Sequence, residues 1–183
     1  MNEKQVFSTL EDLGWRRDKD EVGDSFCLMD IGCMQVQIIP AVGVRSDHFR
    51  VSFMPSVSTA GFISAVAFIL DEYRKYVPII VSNNPPEKIL NFSRDEVVRL
   101  SEEALFWAAR QDIEVGLSVY RALPTHSKGA MPLRHLAALA IARDENTLSS
   151  YKRSFERGDR LGFVPYITPE MIVRALLLAQ SKE

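Results

Sequence analysis

Three short segments between residues 26 and 53 alternate apolar and polar residues, and this alternation constrains the fold more than any other feature of the chain. In the second segment, MQVQI, every other side chain is apolar. A period of two is typical of a β-strand that buries one face. No glycine-rich phosphate loop interrupts the run. The pattern therefore predicts a small antiparallel sheet with strands at Phe26–Asp30, Met34–Ile39 and Phe49–Met54.

Segments with helical periodicity flank this run and predict helices that cover the sheet. Before it, apolar residues at i, i+4 and i+7 favour a helix over residues 2–13. After it, apolar residues recur at helical spacing over residues 60–75. A short apolar segment at 79–81 follows Pro78 and predicts a fourth strand at an edge. The first part of the chain is thus predicted to be a sheet of three to four strands packed by two helices.

The sequence SNNPP at residues 82–86 is the clearest break in the chain, because two prolines can continue neither a helix nor a central strand. Beyond it the apolar spacing is helical throughout. Helices are predicted over residues 93–111, 132–142, 145–157 and 169–181.

These patterns together predict an α+β fold in which a small antiparallel sheet packed by two helices is followed by a helical C-terminal part. The predicted division places a sheet domain at residues 1–81 and a helical part at residues 87–183. A single core shared by both parts is the alternative.

Composition and charge exclude several classes of function. With a net charge of −2 the chain has no basic excess for nucleic acid and no polybasic run for an anionic membrane surface. No apolar stretch reaches the ~18 residues of a membrane span. The N-terminal sequence is charged and lacks the apolar core of a signal peptide. We therefore expect a cytoplasmic protein that binds neither nucleic acid nor membrane.

The chain lacks the familiar motifs of catalysis and of metal binding. Cys27 and Cys33 form no CxxC pair, and the three histidines form no HxxxH or HxH pair. No GxSxG, Walker A, GxGxxG or HExxH motif is present. We therefore predict no catalytic residue, no metal and no cofactor. His135, between apolar neighbours on a predicted helix, is expected to be a hydrogen-bonded structural histidine.

Two features favour a surface that binds a partner. The loop at residues 158–167 is unusually apolar, so it either folds back on the core or forms a contact surface. The outward face of the third predicted strand, or an edge of the sheet, is open to dimerisation or strand addition. The binding residues predicted from these features are Arg50, Met54, Phe163 and Tyr166.

The first 75 residues resemble the bacterial type III secretion chaperone-like fold, in which a helix, three strands and a second helix follow one another. The residues that carry the resemblance are Val6-Phe7, Leu10, Leu13-Gly14-Trp15, Met34–Ile39, Phe49–Phe53 and Phe62–Tyr73. The resemblance implies a homodimer of a bacterial cytoplasm that binds an extended segment of a client protein and has no enzymatic activity. The chain departs from the family after residue 93, where helices replace two further strands and one helix.

Three functional hypotheses follow. The leading one is a non-catalytic protein-binding protein, chaperone-like or adaptor-like, that forms a dimer. The second is a small enzyme with a site between the sheet and the helical part, for which His126, Asp159, Arg160 and Tyr166 are the candidates. The third is an immunity or regulatory protein that covers the active site of a partner.

Overall fold

The α+β fold is confirmed by a computed structural model, which describes residues 1–181. Within these residues there are seven helices and eight strands. The helices are α1 (Glu3–Asp12), α2 (Ala60–Leu70), α3 (Arg94–Ala109), α4 (Ile113–Arg121), α5 (Met131–Ile141), α6 (Glu145–Glu156) and α7 (Pro169–Gln180). The strands are β1 (Arg16–Lys19), β2 (Ser25–Ile31), β3 (Met34–Ile38), β4 (Ala41–Val44), β5 (Phe49–Ser52), β6 (Ser56–Thr59), β7 (Ile80–Val81) and β8 (Glu87–Ile89).

The strands form two antiparallel sheets instead of one. The larger has the order β1-β2-β3-β6-β7, and the smaller has the order β4-β5-β8. The third predicted strand, β5, therefore does not extend the sheet of β2 and β3. It pairs with β4, which lies between the second and third predicted strands, and with β8, where Phe49 lies opposite Ile89.

The strand β1 is not predicted from the sequence, because all of its side chains are charged. All four residues of its sequence, RRDK, are exposed, so no apolar alternation marks the segment. Its main chain nevertheless pairs with β2 from Arg16 opposite Leu28 to Lys19 opposite Ser25. The Arg17 guanidinium lies 4.1 Å from the centre of the Phe7 ring, so even a charged side chain covers apolar surface here.

The chain forms two compact units that are interleaved along the sequence. Unit 1 comprises residues 1–58 and 80–111, and unit 2 comprises residues 59–79 and 112–183. The break at 82–86 thus lies within unit 1. The physical reason is that β8, immediately after the break, pairs with β5 and keeps this segment with the sheets.

In unit 1, the helices packed with the larger sheet are α1 and α3. The second helix on the sheet is thus α3, whereas the apolar spacing at 60–75 predicts that segment in this position. Trp15 follows α1 and is 2% exposed, and its Nε1 donates a hydrogen bond of 2.8 Å to Ser101 Oγ on α3. This buried bond joins the end of α1 to α3.

Five of the described helices form unit 2, with α5 at the centre. The sequence of α2, AGFISAVAFIL, is almost continuously apolar, which is typical of a helix with little exposed surface. It packs against α5 and α7, while α4 and α6 also pack against α5. Every residue of α5 from His135 to Ala140 is buried.

Among residues 1–181, no helix combines the length and the apolar character that a transmembrane span requires.

Candidate functional site

The helix α2 ends five residues earlier than its apolar periodicity predicts, and this early end opens a groove in unit 2. Asp71 adopts a left-handed conformation with φ 61° and ψ 43°. The Glu72 N–H then donates to the Ala67 carbonyl at 3.1 Å and closes the helix end. Aspartate is one of the few non-glycine residues that enters this conformation readily. Residues 72–78 consequently leave the helix axis, and the prediction of a helix to residue 75 is wrong.

We call the resulting depression the α2–α5 groove. Its volume is about 250 Å³, and its walls come from the last turns of α2, the segment 72–78 and the first turn of α5. Most of the lining is apolar, with a few polar or charged side chains. The lining residues are Val66, Ala67, Leu70, Glu72, Tyr73, Lys75, Tyr76, Val77, Pro78, Ala130, Leu133 and Arg134.

Arg134 provides a cation in this mostly apolar lining. Its Nη1 donates to Tyr120 Oη at 2.9 Å, and its Cζ lies 5.6 Å from the centre of the same ring. Tyr120 Oη in turn donates to the Pro78 carbonyl at 3.2 Å, which ties α4 to the groove wall. Arg134 Nε is buried and has no hydrogen-bond partner within residues 1–181. A buried donor without a partner costs about 1–3 kcal/mol, so this atom requires an explanation.

A second, wider depression adjoins the groove. Its volume is about 800 Å³, and it shares Ala67, Glu72, Tyr73 and Lys75 with the groove. Its two aromatic lining residues are exposed, since Phe68 is 47% and Tyr73 is 92% accessible to solvent. The shared wall therefore carries apolar surface that faces water.

Two contacts of charged side chains lie at this wall. Glu72 and Lys75 form an ion pair of 3.5 Å between Oε2 and Nζ. Arg174 Nε, on α7, donates to the Ile69 carbonyl at 2.7 Å and so satisfies one of the last carbonyls of α2. The end of α2 is thereby held to α7 while the aromatic side chains remain exposed.

His135, beside Arg134 on α5, is a structural histidine, as predicted. It is 2% exposed, with Nδ1 at 2.9 Å from the Tyr120 carbonyl and Nε2 at 3.0 Å from Tyr151 Oη. Burial lowers the pKa of this imidazole and outweighs the opposing effects of the carbonyl and of the Asp144 charge. The neutral ring therefore donates from Nδ1 to the carbonyl and accepts the tyrosine hydroxyl at Nε2.

The four predicted binding residues are divided between the units. In unit 1, Arg50 is exposed on β5, and Met54 is 41% exposed with φ 40°. In unit 2, Tyr166 is 43% exposed, whereas Phe163 is only 4% exposed. The Phe163 ring lies 5.3 Å from that of Tyr151 and 5.8 Å from that of Phe155, so it packs inside unit 2 and presents no surface to a partner.

The loop at 158–167 shows the first of the two roles that its sequence left open, packing against the core. It folds back on the core through Phe163 and through Ile167, which is fully buried. Tyr166 stays at the surface, where its Oη donates to the Gly129 carbonyl at 2.9 Å. Burial raises the pKa of this phenol, and the positive charge of Arg134 opposes that rise. The bond to Gly129 places Tyr166 next to Ala130, which lines the α5 end of the groove.

The four candidates for an enzyme site are each engaged separately. Arg160 Nη2 donates to three carbonyls of its own loop, those of residues 164, 165 and 167. Asp159 Oδ1 accepts from the Leu161 N–H at 2.9 Å, and His126 lies against Gly162. Over residues 1–181, no hydrogen bond joins any two of His126, Asp159, Arg160 and Tyr166. These side chains hold loops in place.

Gly162 provides a test of this loop packing. Its φ is +80°, and a Cβ built on it would lie 3.2 Å from the His126 Cβ. Gly162→Ala is expected to destabilise unit 2 by about 1–2 kcal/mol from the left-handed backbone alone, with a further cost from that contact. The measurement is denaturant unfolding followed by circular dichroism.

Gly158→Ala is the matched control for this substitution. Gly158 also has a positive φ, +83°, but no atom within 4 Å of an added Cβ. The difference in destabilisation between Gly162→Ala and Gly158→Ala measures the cost of the contact with His126. Equal destabilisation would mean that the loop does not press against His126.

Sequence reasoning missed Arg134 as a site residue. The signal that could have found it is a lone arginine in the apolar sequence MPLRHLAALAI of α5. The groove itself was hidden, because residues 71–75 continue the helical pattern of α2 and were assigned to that helix.

Comparison with known proteins places this architecture in a family. The family model that matches the chain covers residues 2–180, and it is described as a family of unknown function. The chain belongs to the family DUF6990. The DUF6990 match includes both units, so the α2–α5 groove lies inside the region that defines the family. No curated protein and no solved structure matches the chain.

Proposed function

We propose that this protein is a non-catalytic binding protein, chaperone-like or adaptor-like, that holds a segment of a partner protein in the α2–α5 groove. The observation that carries the proposal is Tyr73, which is 92% exposed on the wall between two depressions. We place this role in the cytoplasm of a bacterium, as the resemblance to secretion chaperones suggests.

The chemistry of the groove supports a protein partner. Single exposed apolar residues are normal on protein surfaces and mean little alone. Here Tyr73, Phe68 and the groove cation Arg134 border one connected region of unit 2. Tyrosine and arginine are the residue types that most often dominate binding energy in interfaces, because each combines a large contact area with a polar group. An extended segment of a partner would bury the aromatic faces and fill the groove.

Site-specific photocrosslinking tests the proposal. Benzoylphenylalanine at position 73 is expected to form a covalent adduct with a partner protein in the native host, and mass spectrometry then identifies that partner. With the purified partner, Tyr73→Ala is expected to raise the Kd by about tenfold or more, because truncating an interface hot spot costs 2 kcal/mol or more. Titration calorimetry measures this change.

Phe106 provides the matched control. It is 65% exposed on α3 in unit 1, so it tests whether any exposed aromatic residue gives the same result. Phe106→Ala is expected to leave the Kd unchanged. A partner whose affinity is the same for Tyr73→Ala and wild type would contradict the proposal. An adduct with a second copy of the chain would identify the groove as a self-association surface instead.

A further inference from the structure

One edge of the Arg134 guanidinium has no hydrogen-bond partner within residues 1–181. Nη1 is occupied by Tyr120 Oη at 2.9 Å. Nε is buried and unpartnered, and in the part of the chain that the structure describes Nη2 has no protein acceptor either. Nε and Nη2 point in parallel from the same side of a guanidinium. Together they form the two-donor edge that a carboxylate accepts with both oxygens.

The charges around this edge leave Arg134 without an acidic partner. Glu72, the carboxylate in the groove lining, forms its ion pair with Lys75. Within residues 1–181, no salt bridge reaches Arg134. A cation that is partly withdrawn from water and unpaired attracts an anion, and the anion would also satisfy the orphaned Nε.

The rest of the lining specifies what the anion must be attached to. Leu70, Val77, Pro78 and Leu133 surround the groove with apolar surface. An aspartate or glutamate side chain brings a carboxylate but little apolar surface to fill this space. The last residue of a polypeptide carries its carboxylate and its side chain on the same carbon. A chain end with an apolar last residue therefore satisfies Arg134 and the lining at once.

We infer that the α2–α5 groove binds the free C-terminus of a partner polypeptide, with its carboxylate on the Nε/Nη2 edge of Arg134 and an apolar last side chain in the groove. This inference rests on the proposed function and narrows it to one kind of segment. Capture of a terminal carboxylate by fixed donors is a known mode of peptide recognition, and an apolar pocket beside it supplies specificity.

The test uses heptapeptides displayed with a free C-terminus and selected on the full-length protein. The best peptide is then synthesised as the free acid and as the C-terminal amide, with a fluorophore at the N-terminus. We expect the selected peptides to end in an apolar residue. We also expect the amide to bind about tenfold or more weakly than the acid, because hydrogen bonds to a charged group are stronger than those between neutral groups. Fluorescence anisotropy measures both affinities on the wild-type protein, so this comparison needs no variant.

Two variants test whether the preference for the free acid over the amide depends on Arg134. Arg134→Lys keeps the charge but loses the two-donor edge, and it is expected to remove most of the preference for the acid. Arg153→Lys makes the same exchange at an exposed arginine on α6 that is not part of the groove lining, so it is expected to retain the preference. Circular dichroism and thermal unfolding show whether each variant is folded.

The outcomes separate this inference from the proposed function. Equal affinity for acid and amide would overturn the inference, as would an acid preference that survives in Arg134→Lys. A selection that yields no binding peptide would overturn it too. If crosslinking at Tyr73 still identifies a partner in any of these three cases, the groove binds an internal segment and the proposed function stands.

Discussion

Replacing Trp15 with alanine is expected to lower the free energy of unfolding of unit 1 by about 3–5 kcal/mol, the range for truncating a buried large aromatic residue. Trp15 is 2% exposed, and its indole packs where α1 ends and β1 begins. The truncation removes apolar contact area and leaves a cavity, and both effects destabilise the folded state. Denaturant unfolding followed by far-ultraviolet circular dichroism measures the loss.

The polar contact of Trp15 adds a second contribution that can be separated. Its Nε1 donates to Ser101 Oγ, and Ser101 is 3% exposed, so neither group has ready access to water. Ser101→Ala leaves the indole N–H unpaired and is expected to cost about 1–3 kcal/mol. The double variant Trp15→Phe with Ser101→Ala removes both hydrogen-bonding groups. Its loss of unfolding free energy is expected to be smaller than the summed losses of the single variants Trp15→Phe and Ser101→Ala.

Val22→Ala is the control for this series. Val22 is 83% exposed in the turn between β1 and β2, and substitutions at such positions usually change stability by no more than about 0.5 kcal/mol. A loss below about 1 kcal/mol for Trp15→Ala would be too small for a buried indole. It would contradict the packing of α1 against α3 described above.

His135→Ala is expected to destabilise unit 2 by about 2–4 kcal/mol near neutral pH, from a cavity and two lost hydrogen bonds. The Tyr120 carbonyl and the Tyr151 hydroxyl each lose a partner in a buried environment. Tyr120 also holds Arg134 and Pro78. We therefore expect the substitution to loosen the α2–α5 groove as well as the core of unit 2.

The same residue predicts a dependence of stability on pH. Burial lowers the pKa of His135 in the folded protein below its ordinary value of 6.5. Below pH 6.5 the unfolded chain therefore binds a proton that the folded chain does not. The contribution of His135 to stability is complete above pH 6.5 and falls as the pH decreases towards the folded-state pKa. Over that window the loss is at most about 1.4 kcal/mol for each pH unit.

His135→Gln isolates this effect, because glutamine can hydrogen-bond but does not titrate in this range. Its free energy of unfolding is expected to change less than that of wild type between pH 6.5 and about 5. Parallel pH profiles for wild type and His135→Gln would show that the imidazole is not held neutral.

The sequence alone was sufficient to predict those helices and strands that bury one face and expose the other. The alternation in MQVQI predicted β3, and helical periodicity predicted α1, α3, α5, α6 and α7. His135 was recognised as structural because its neighbours on α5 are apolar. In each case the hydrophobic period of the segment shows which face is buried. This period is visible without knowledge of the element that packs against that face.

Only the tertiary structure decided how these elements are grouped and where the groove lies. A strand carries no local mark of which strand it pairs with, so the membership of β5 in a second sheet with β8 was not readable from its own residues. The end of α2 depends on one left-handed aspartate within an unbroken helical pattern. Arg134 Nη1 is held by the Tyr120 hydroxyl, which is held in turn by a carbonyl 42 positions away. Pairing, chain reversal and long-range hydrogen bonding depend on residues distant in sequence, and hydrophobic periodicity does not encode them.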